Sequence, residues 1–280
     1  MKLGKWELIS VKSGKFGLDG GAMFGVVPKV LWNKTNPADE QNRIDLATRS
    51  LLLISNDRKI LVDTGLGNKF DDKFKSIYAI QNIPIDEALK QKNILPDEIT
   101  DVIITHLHFD HTGGSTKRVN GKVVPTFPNA KYYVQKDHYH WALNPSEKDK
   151  ASFLLDDFQP LEEHGQLIIL EGSTKITEEI EVITTNGHTP AQQHLKLTVN
   201  DKTIFYCGDL IPTSSHIQFP YIMSYDLYPL TTLKEKKEIL PIAYEEKWIL
   251  FFEHDPLVSS VTITSGSKGF VADTKNIIPD

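Results

Sequence analysis

One cysteine, Cys207, is all the thiol chemistry in 280 residues. No intrachain disulfide is available, and a closed structural zinc site, usually built on cysteines, is disfavoured. Apolar runs are short: none approaches the roughly 18 residues that span a bilayer. The opening Met1–Glu7 holds no continuous apolar stretch, so no secretory leader is expected and the expected location is the cytoplasm. Basic charge is scarce as well. Against 37 Asp and Glu stand 31 Lys and Arg, a net charge of −6, which offers no field for nucleic acid or an anionic membrane. Internal repeats, low-complexity tracts and Pro/Ser-rich linkers are also missing, which favours one domain over residues 1–280.

What is present is an ordinary globular composition, 40% hydrophobic and 24% charged, with strand-like runs in both halves. Strands are predicted at 6–11, 48–55, 59–62, 102–104 and 131–135, with Asn56-Asp57 as a hairpin turn. Helices are predicted at 85–91 behind Pro84, at 136–141, at 147–158 and at 231–244. Further strands are predicted at 167–170, 180–185, 194–199, 203–207 and 248–252, with two short ones at the end. Strand clusters in both halves, each with its own helices, imply an α/β fold of two face-to-face sheets covered outside by helices.

Ligand-type residues gather in one segment, His106-Leu107-His108-Phe109-Asp110-His111, directly after the β-branched run Val102-Ile103-Ile104. A lone His-x-His arises easily by chance; four ligand-type residues within six positions do not. On extended chain His106 and His108 project to one side, whereas a helix would turn them about 200° apart. Gly113-Gly114 lets the backbone bend after Asp110 and His111. Three more candidates end their own β-like runs: His188, Asp209 and His254. Imidazole and carboxylate suit zinc and similar cations. Seven groups are too many for one tetrahedral ion and about right for two. His106/His108 and Asp110/His111 would serve one ion each, Asp209 would bridge, and His188 and His254 would complete one site each.

These residues resemble the metallo-β-lactamase superfamily. His106-Leu107-His108-Phe109-Asp110-His111 is similar to its signature, Asp63 in Leu61-Val62-Asp63-Thr64-Gly65 to its preceding aspartate motif, and His188, Asp209 and His254 to its later motifs in order. The resemblance implies a four-layer αββα sandwich with two divalent metal ions, zinc by preference, at one edge. It implies His106, His108 and His188 on the first metal, Asp110, His111 and His254 on the second, and Asp209 between them. Asp63 is expected to support a ligand histidine from behind. Asp19-Gly20-Gly21-Ala22-Met23-Phe24-Gly25 and Gly208–Pro212 resemble the N-acyl-homoserine-lactone lactonases and methyl-parathion-hydrolase-like enzymes most closely.

One departure stands out. Many of those lactonases carry a tyrosine three residues after the bridging aspartate, where this chain has Pro212. His216, Tyr221 and Tyr225 are the candidates to replace its phenol, with His216 nearest in sequence. Cys207 is expected to be buried packing and His138 and His140 surface groups on a helix; His194, just past the ligand loop, is a candidate for a hydrogen-bonding support. The expected activity is hydrolysis of a small-molecule ester or lactone by a metal-bridging hydroxide, with Asp110 orienting the nucleophile and carrying its proton. Thioester, phosphoester or β-lactam hydrolysis is the alternative. Nuclease or non-hydrolytic metal-binding roles fit less well, because no basic domain is present. The expected partner is a small-molecule substrate, and a homodimer is an expectation from similar enzymes.

Overall fold

Alternation along the strands builds the molecule. In the computed structural model, which describes all 280 residues, Leu51 and Leu53 face one way and Leu52 the other. The same alternation separates Ile60 and Val62 from Leu61, Ile204 and Tyr206 from Phe205, and Ile249 and Phe251 from Leu250. Side chains two apart share a face of a strand, so these sequences are apolar on both faces and must be covered on both. Each fully buried Leu, Ile or Phe among them contributes about 1.5–3 kcal/mol relative to exposure.

One sheet runs, in spatial order, Lys2–Leu3, Trp6–Asp19, Arg43–Ile54, Lys59–Val62, Asp101–Ile103, Lys131–Gln135 and Leu167–Leu170. The other runs Thr174–Lys175, Ile180–Thr185, Gln192–Val199, Lys202–Tyr206, Ile249–Phe251, Ser260–Gly266 and Gly269–Lys275. Their inner faces meet in one core that contains Leu51, Val62, Ile103, Val182, Leu195, Tyr206 and Phe251. Outside the first sheet, helices Ile85–Gln91 and Lys136–Leu143 lay Leu89 and Tyr139 against Val102 and Tyr132. Outside the second, helix Pro229–Glu245 lays Leu240 and Ala243 against Phe205 and Leu250. The result is the expected αββα layering.

Three expectations differ from the structure. The strand predicted at 48–55 begins earlier, at Arg43. The strand predicted at 6–11 continues to Asp19, with an irregularity between Lys12 and Gly14. Lys12, Gly14, Lys15 and Gly17 interrupt its apolar pattern, while twelve paired positions along Arg43–Ile54 hold it extended. The helix predicted at 147–158 is instead two short 3₁₀ turns, Lys150–Ser152 and Leu155–Asp157. There Asp149 accepts from Ser146 Oγ (2.6 Å) and Trp141 Nε1 (2.7 Å), and such local side-chain bonding competes with a helix.

Candidate metal centre

Strand direction gathers the candidates. Lys59–Val62 is parallel to Asp101–Ile103, and Lys202–Tyr206 to Ile249–Phe251. Asp63, His106, Asp209 and His254 therefore follow the carboxyl ends of their strands, the side where open α/β sheets form their crevices. Asp63 then anchors the ligand segment. Its Oδ1 accepts from the Thr105 amide and its Oδ2 from Thr105 Oγ1, both at 2.7 Å. Asp63 adopts φ 55°, a left-handed conformation that a non-glycine residue keeps only where its surroundings over-determine it. His108 precedes the short helix Phe109–Thr112, which carries Asp110 and His111. At the end of that helix, a Cβ on Gly113 would overlap the Leu66 carbonyl oxygen, so only glycine allows the 63–67 loop to close against the motif.

Two groups of donor atoms result: His106, His108, His188 and Asp209, and then Asp110, His111 and His254. Within each group all lie within 4.8 Å of one another. Asp209 faces both. Its Oδ2 is 3.2 Å from His188 Nε2 and 3.8 Å from His106 Nε2, while its Oδ1 is 3.3 Å from His254 Nε2 and 3.5 Å from His111 Nε2. Asp110 Oδ2 is 3.6 Å from His254 Nε2. All seven residues are buried.

Hydrogen bonds on the far side of three of the rings bear on their protons. His188 Nδ1 donates to Asp226 Oδ1 (2.9 Å), His254 Nδ1 to the Ala47 carbonyl (2.9 Å), and His111 Nδ1 to Asp63 Oδ2 (3.2 Å), with Glu253 Oε2 2.7 Å away. Ionised carboxylates and carbonyls only accept, so each of these Nδ1 atoms carries hydrogen and Nε2 is the nitrogen left facing inward, free to bind a cation once deprotonated. His111 Nε2 and His254 Nε2 stand 3.0 Å apart. Asp209 Oδ1 is buried with no hydrogen-bond partner. Such a set requires positive charge between its members, and its imidazole–carboxylate chemistry fits divalent cations of the zinc type.

The electrostatics of the ligand-free groups agree. Burial, together with neighbouring imidazoles, pushes His106 and His108 well below the usual histidine range. Burial works against charge on His111 and His254 too, but carboxylates outweigh it. His111 is raised well above its ordinary value by Glu253, Asp209 and Asp110, and His254 is lifted to about 9 by Asp209 and Glu253. Burial opposes the Asp209 charge, yet His111, His188 and His254 hold it well below the carboxylate range. Glu253 is lifted to about 8 by burial, with Asp63 adding to the rise.

Above the clusters opens a cleft with a volume of about 100 Å³. Its polar floor includes His108, Asp110, His188, Asp209 and His254; Leu18, Met23, Leu46, Phe109 and Met223 form an apolar wall, and Tyr78, Tyr225, Lys148, Asp149 and Ser152 complete the lining.

His216 is not among the lining residues. It is buried, stacked on Phe24 at 4.6 Å, with Nε2 donating to the Met23 carbonyl (2.8 Å) and Nδ1 2.7 Å from Thr213 Oγ1. Both ring nitrogens are engaged there, so the expectation that His216 polarises substrate does not fit its position. Tyr221 packs edge-on against Phe24 instead, and Tyr225 alone of the three candidates lines the cleft. Cys207 is buried among apolar residues. His194 is buried with Nε2 2.8 Å from Thr185 Oγ1. His140 is exposed, but His138, expected at the surface, is fully buried. Sequence reasoning missed Asp226, Glu253 and Tyr206, whose hydroxyl donates to Glu253 Oε2 at 2.8 Å. Only Glu253 carried a local signal, as an acid next to a ligand candidate in a strand end.

Comparison with known proteins agrees with this geometry. An N-acyl homoserine lactonase of Bacillus thuringiensis is 27% identical over 226 residues, covering 76% of this chain and 82% of its own. The crystal structure of a probable metal-dependent hydrolase from Staphylococcus aureus superposes with a TM-score of 0.90 at 28% identity and covers 98% of both chains. AidC, a dizinc quorum-quenching lactonase solved in complex with a product, superposes with a TM-score of 0.81 over 98% of this chain and 95% of its own; at 20% identity that likeness is one of fold. The model of the metallo-β-lactamase superfamily matches residues 43–254, a span that runs from the second long strand to the last ligand candidate. The chain belongs to the metallo-β-lactamase superfamily, as a metal-dependent hydrolase homologous to the N-acyl homoserine lactonases.

Proposed function

We propose that this protein hydrolyses a small-molecule lactone or related ester with an apolar substituent, using two divalent cations, zinc by donor chemistry. His106, His108 and His188 hold one cation, Asp110, His111 and His254 the other, and Asp209 lies between them. The observation that carries this reading is the Asp209 carboxylate, with one oxygen toward each cluster, beneath a cleft that has an apolar wall. The lactonase identity of the curated relatives supports the substrate class.

When bound, the cations supply Lewis acidity and lower the pKa of water toward neutrality. The remaining work belongs to the chain. Asp110, in the cleft floor and beside His254, orients the attacking water and moves its proton toward the leaving group. Leu18, Met23, Leu46, Phe109 and Met223 hold the apolar substituent and exclude bulk water from it. Tyr225 donates a hydrogen bond to the substrate oxygen that gains charge, in place of the tyrosine absent at Pro212. Burial, then Tyr78, Asp19 and Asp110, raises the Tyr225 phenol, so it keeps its proton at working pH.

Elemental analysis of reconstituted protein, with a panel of lactones, aryl esters, phosphotriesters and β-lactams, tests the proposal. The expected result is two equivalents of metal per chain and preferred turnover of lactones or esters. Saturation at one equivalent, or preference for another bond type, would overturn it. Tyr225→Phe should lower kcat on the preferred substrate by about 10², the loss typical of one such donor, with both cations retained. Unchanged kcat would remove Tyr225 from the mechanism.

A further inference from the structure

The two loops that supply the first cluster are far apart in sequence, and one buried side chain joins them. His138, in helix Lys136–Leu143, is fully buried. Its Nε2 accepts the Leu107 amide hydrogen at 2.7 Å, and its Nδ1 donates to the Pro190 carbonyl at 2.9 Å. Leu107 separates His106 from His108, and Pro190 follows His188 by two residues. An amide N–H only donates and a carbonyl only accepts, so the two partners fix one neutral tautomer of the ring. The ring therefore spans from one ligand loop to the other at a set length. His106 and His188, whose ring centroids are 5.0 Å apart, receive that spacing.

We propose that His138 is a positioning residue for the first cation: it sets the separation of the 106–108 and 188–190 loops and so the affinity of the His106/His108/His188/Asp209 cluster. The proposal rests on the reading of that cluster as a metal site. His138 touches neither cation nor substrate and acts through two backbone groups. Support behind a ligand set is commonly worth 10–100-fold in metal affinity, and a spacer that fixes two loops acts at the same remove.

The structure also separates this role from simple packing. A glutamine side chain carries a carbonyl oxygen and an NH₂ with about the spacing of the two imidazole nitrogens, so His138→Gln can accept from Leu107 and donate to Pro190. His138→Asn is polar but one methylene shorter and cannot reach both partners; His138→Leu fills the space and makes neither bond. Cation affinity is read by competition with a chromophoric chelator and by cobalt(II) absorption. The variants are made in the wild-type chain and in a His254→Ala background, where the first cluster is left to report alone. His138→Leu and His138→Asn should weaken the first cation by about 10–100-fold, and His138→Gln should restore it to within about threefold.

Equal first-cation affinities in folded His138→Gln and His138→Asn would overturn the proposal, and that pair decides even if His138→Leu does not fold. Loss of both cations alike in a folded variant would overturn the assignment to the first cluster. A wild-type chain that takes up no cation would overturn the metal reading itself, and the proposal with it.

Discussion

The two halves of the metal centre are held by different means. Around the first cluster the supports are largely neutral or backbone groups. His106 Nδ1 rests 3.0 Å from the Thr105 hydroxyl, the His106 and His188 loops are joined through His138, and Asp226 behind His188 is the single carboxylate support. Around the second cluster the supports are charged. His111 meets both Glu253 and Asp63. Buried Arg49 donates to the Phe252 and Asp255 carbonyls on either side of the Glu253-His254 pair, and to both oxygens of Asp280. A charged surround makes an imidazole a stronger base and a better ligand, and it also makes it a better home for a proton. A neutral surround leaves the ring deprotonated and ready for metal. The same seven-ligand pattern thus contains one half set by spacing and one set by charge.

The largest effect should come where the halves join. Asp209→Ala removes the only carboxylate that faces both clusters and leaves two cations without shared negative charge. Turnover should fall to background, and at least one of two metal equivalents should be lost, with the circular dichroism spectrum unchanged. Retained activity with full metal content would show that the halves do not depend on a bridge.

A matched pair of substitutions tests whether the halves respond separately. Asp226→Asn removes the charge behind His188, and Glu253→Gln alters the contact behind His111. Each should weaken its own cluster by about 10–100-fold and leave the other nearly unchanged, as read by stepwise metal titration. The effects should differ in character. Burial lifts the Glu253 carboxyl in the ligand-free protein while the facing His111 opposes that rise, so its charge depends on the state of the ring it supports. Equal loss of both cations in either variant would mean that the clusters behave as one unit.

Legibility in the sequence divides along the same lines. The seven residues that converge were readable as candidates because they sit in a dense segment or at strand ends, where local pattern alone marks them. Inner and outer faces were readable from alternation in runs such as Leu51-Leu52-Leu53 and Lys59–Val62. The supports were not. Asp226 lies 38 residues from the histidine it braces, and nothing near it distinguishes it from any loop aspartate. His138 sits on a helix whose outward pattern suggests solvent, and only the packing of that helix over the ligand loops buries it. His216 failed for the converse reason: nearness in sequence to Asp209 suggested the cleft, while the 3₁₀ turn Ser214–Ile217 directs the ring beneath Phe24. Long-range convergence, not local chemistry, decides each of these.

pH dependence should separate the halves further. In the ligand-free protein His254 titrates at about 9, and His111 is raised well above its usual value. Below that range a cation entering the second cluster must displace protons, so its apparent affinity should rise with pH, by about tenfold per unit for each proton released. His106 and His108 are lowered well below their usual range, and His188 alone among the first cluster's histidines is raised, so the first cluster should show a shallower slope. Calorimetric titrations in buffers of different ionisation enthalpy, between about pH 6 and 9, count the protons directly. Equal proton release at both steps would erase the distinction.

The smallest predicted effect reaches the second cluster from the far end of the chain. Asp280 accepts from Arg49 Nε and Nη2, at 2.6 and 2.9 Å, and Arg49 Nη1 in turn fixes the carbonyls of Phe252 and Asp255 around His254. Arg49 is fully buried, so loss of its partner leaves a buried guanidinium with only carbonyls for company. Removing one member of a fully buried pair costs about 3–5 kcal/mol. The Asp280 side chain is 37% exposed, and solvent screening reduces the expected cost of Asp280→Asn to about 1–3 kcal/mol. The pH signature follows from the sign of the shift. Burial opposes the Asp280 charge, but Arg49 and Ser10 outweigh it and hold the carboxyl at about 2, below its ordinary value of 3.8. A depressed folded-state pKa contributes stability that is fully present above the unfolded value and is lost as pH falls toward the folded one. The stability difference between the wild type and Asp280→Asn, measured by denaturant unfolding of the metal-free proteins, should therefore be constant above about pH 5 and shrink between about pH 4 and 2. If the difference is absent at neutral pH, or persists undiminished in acid, the Arg49–Asp280 pair is not what braces the charged half.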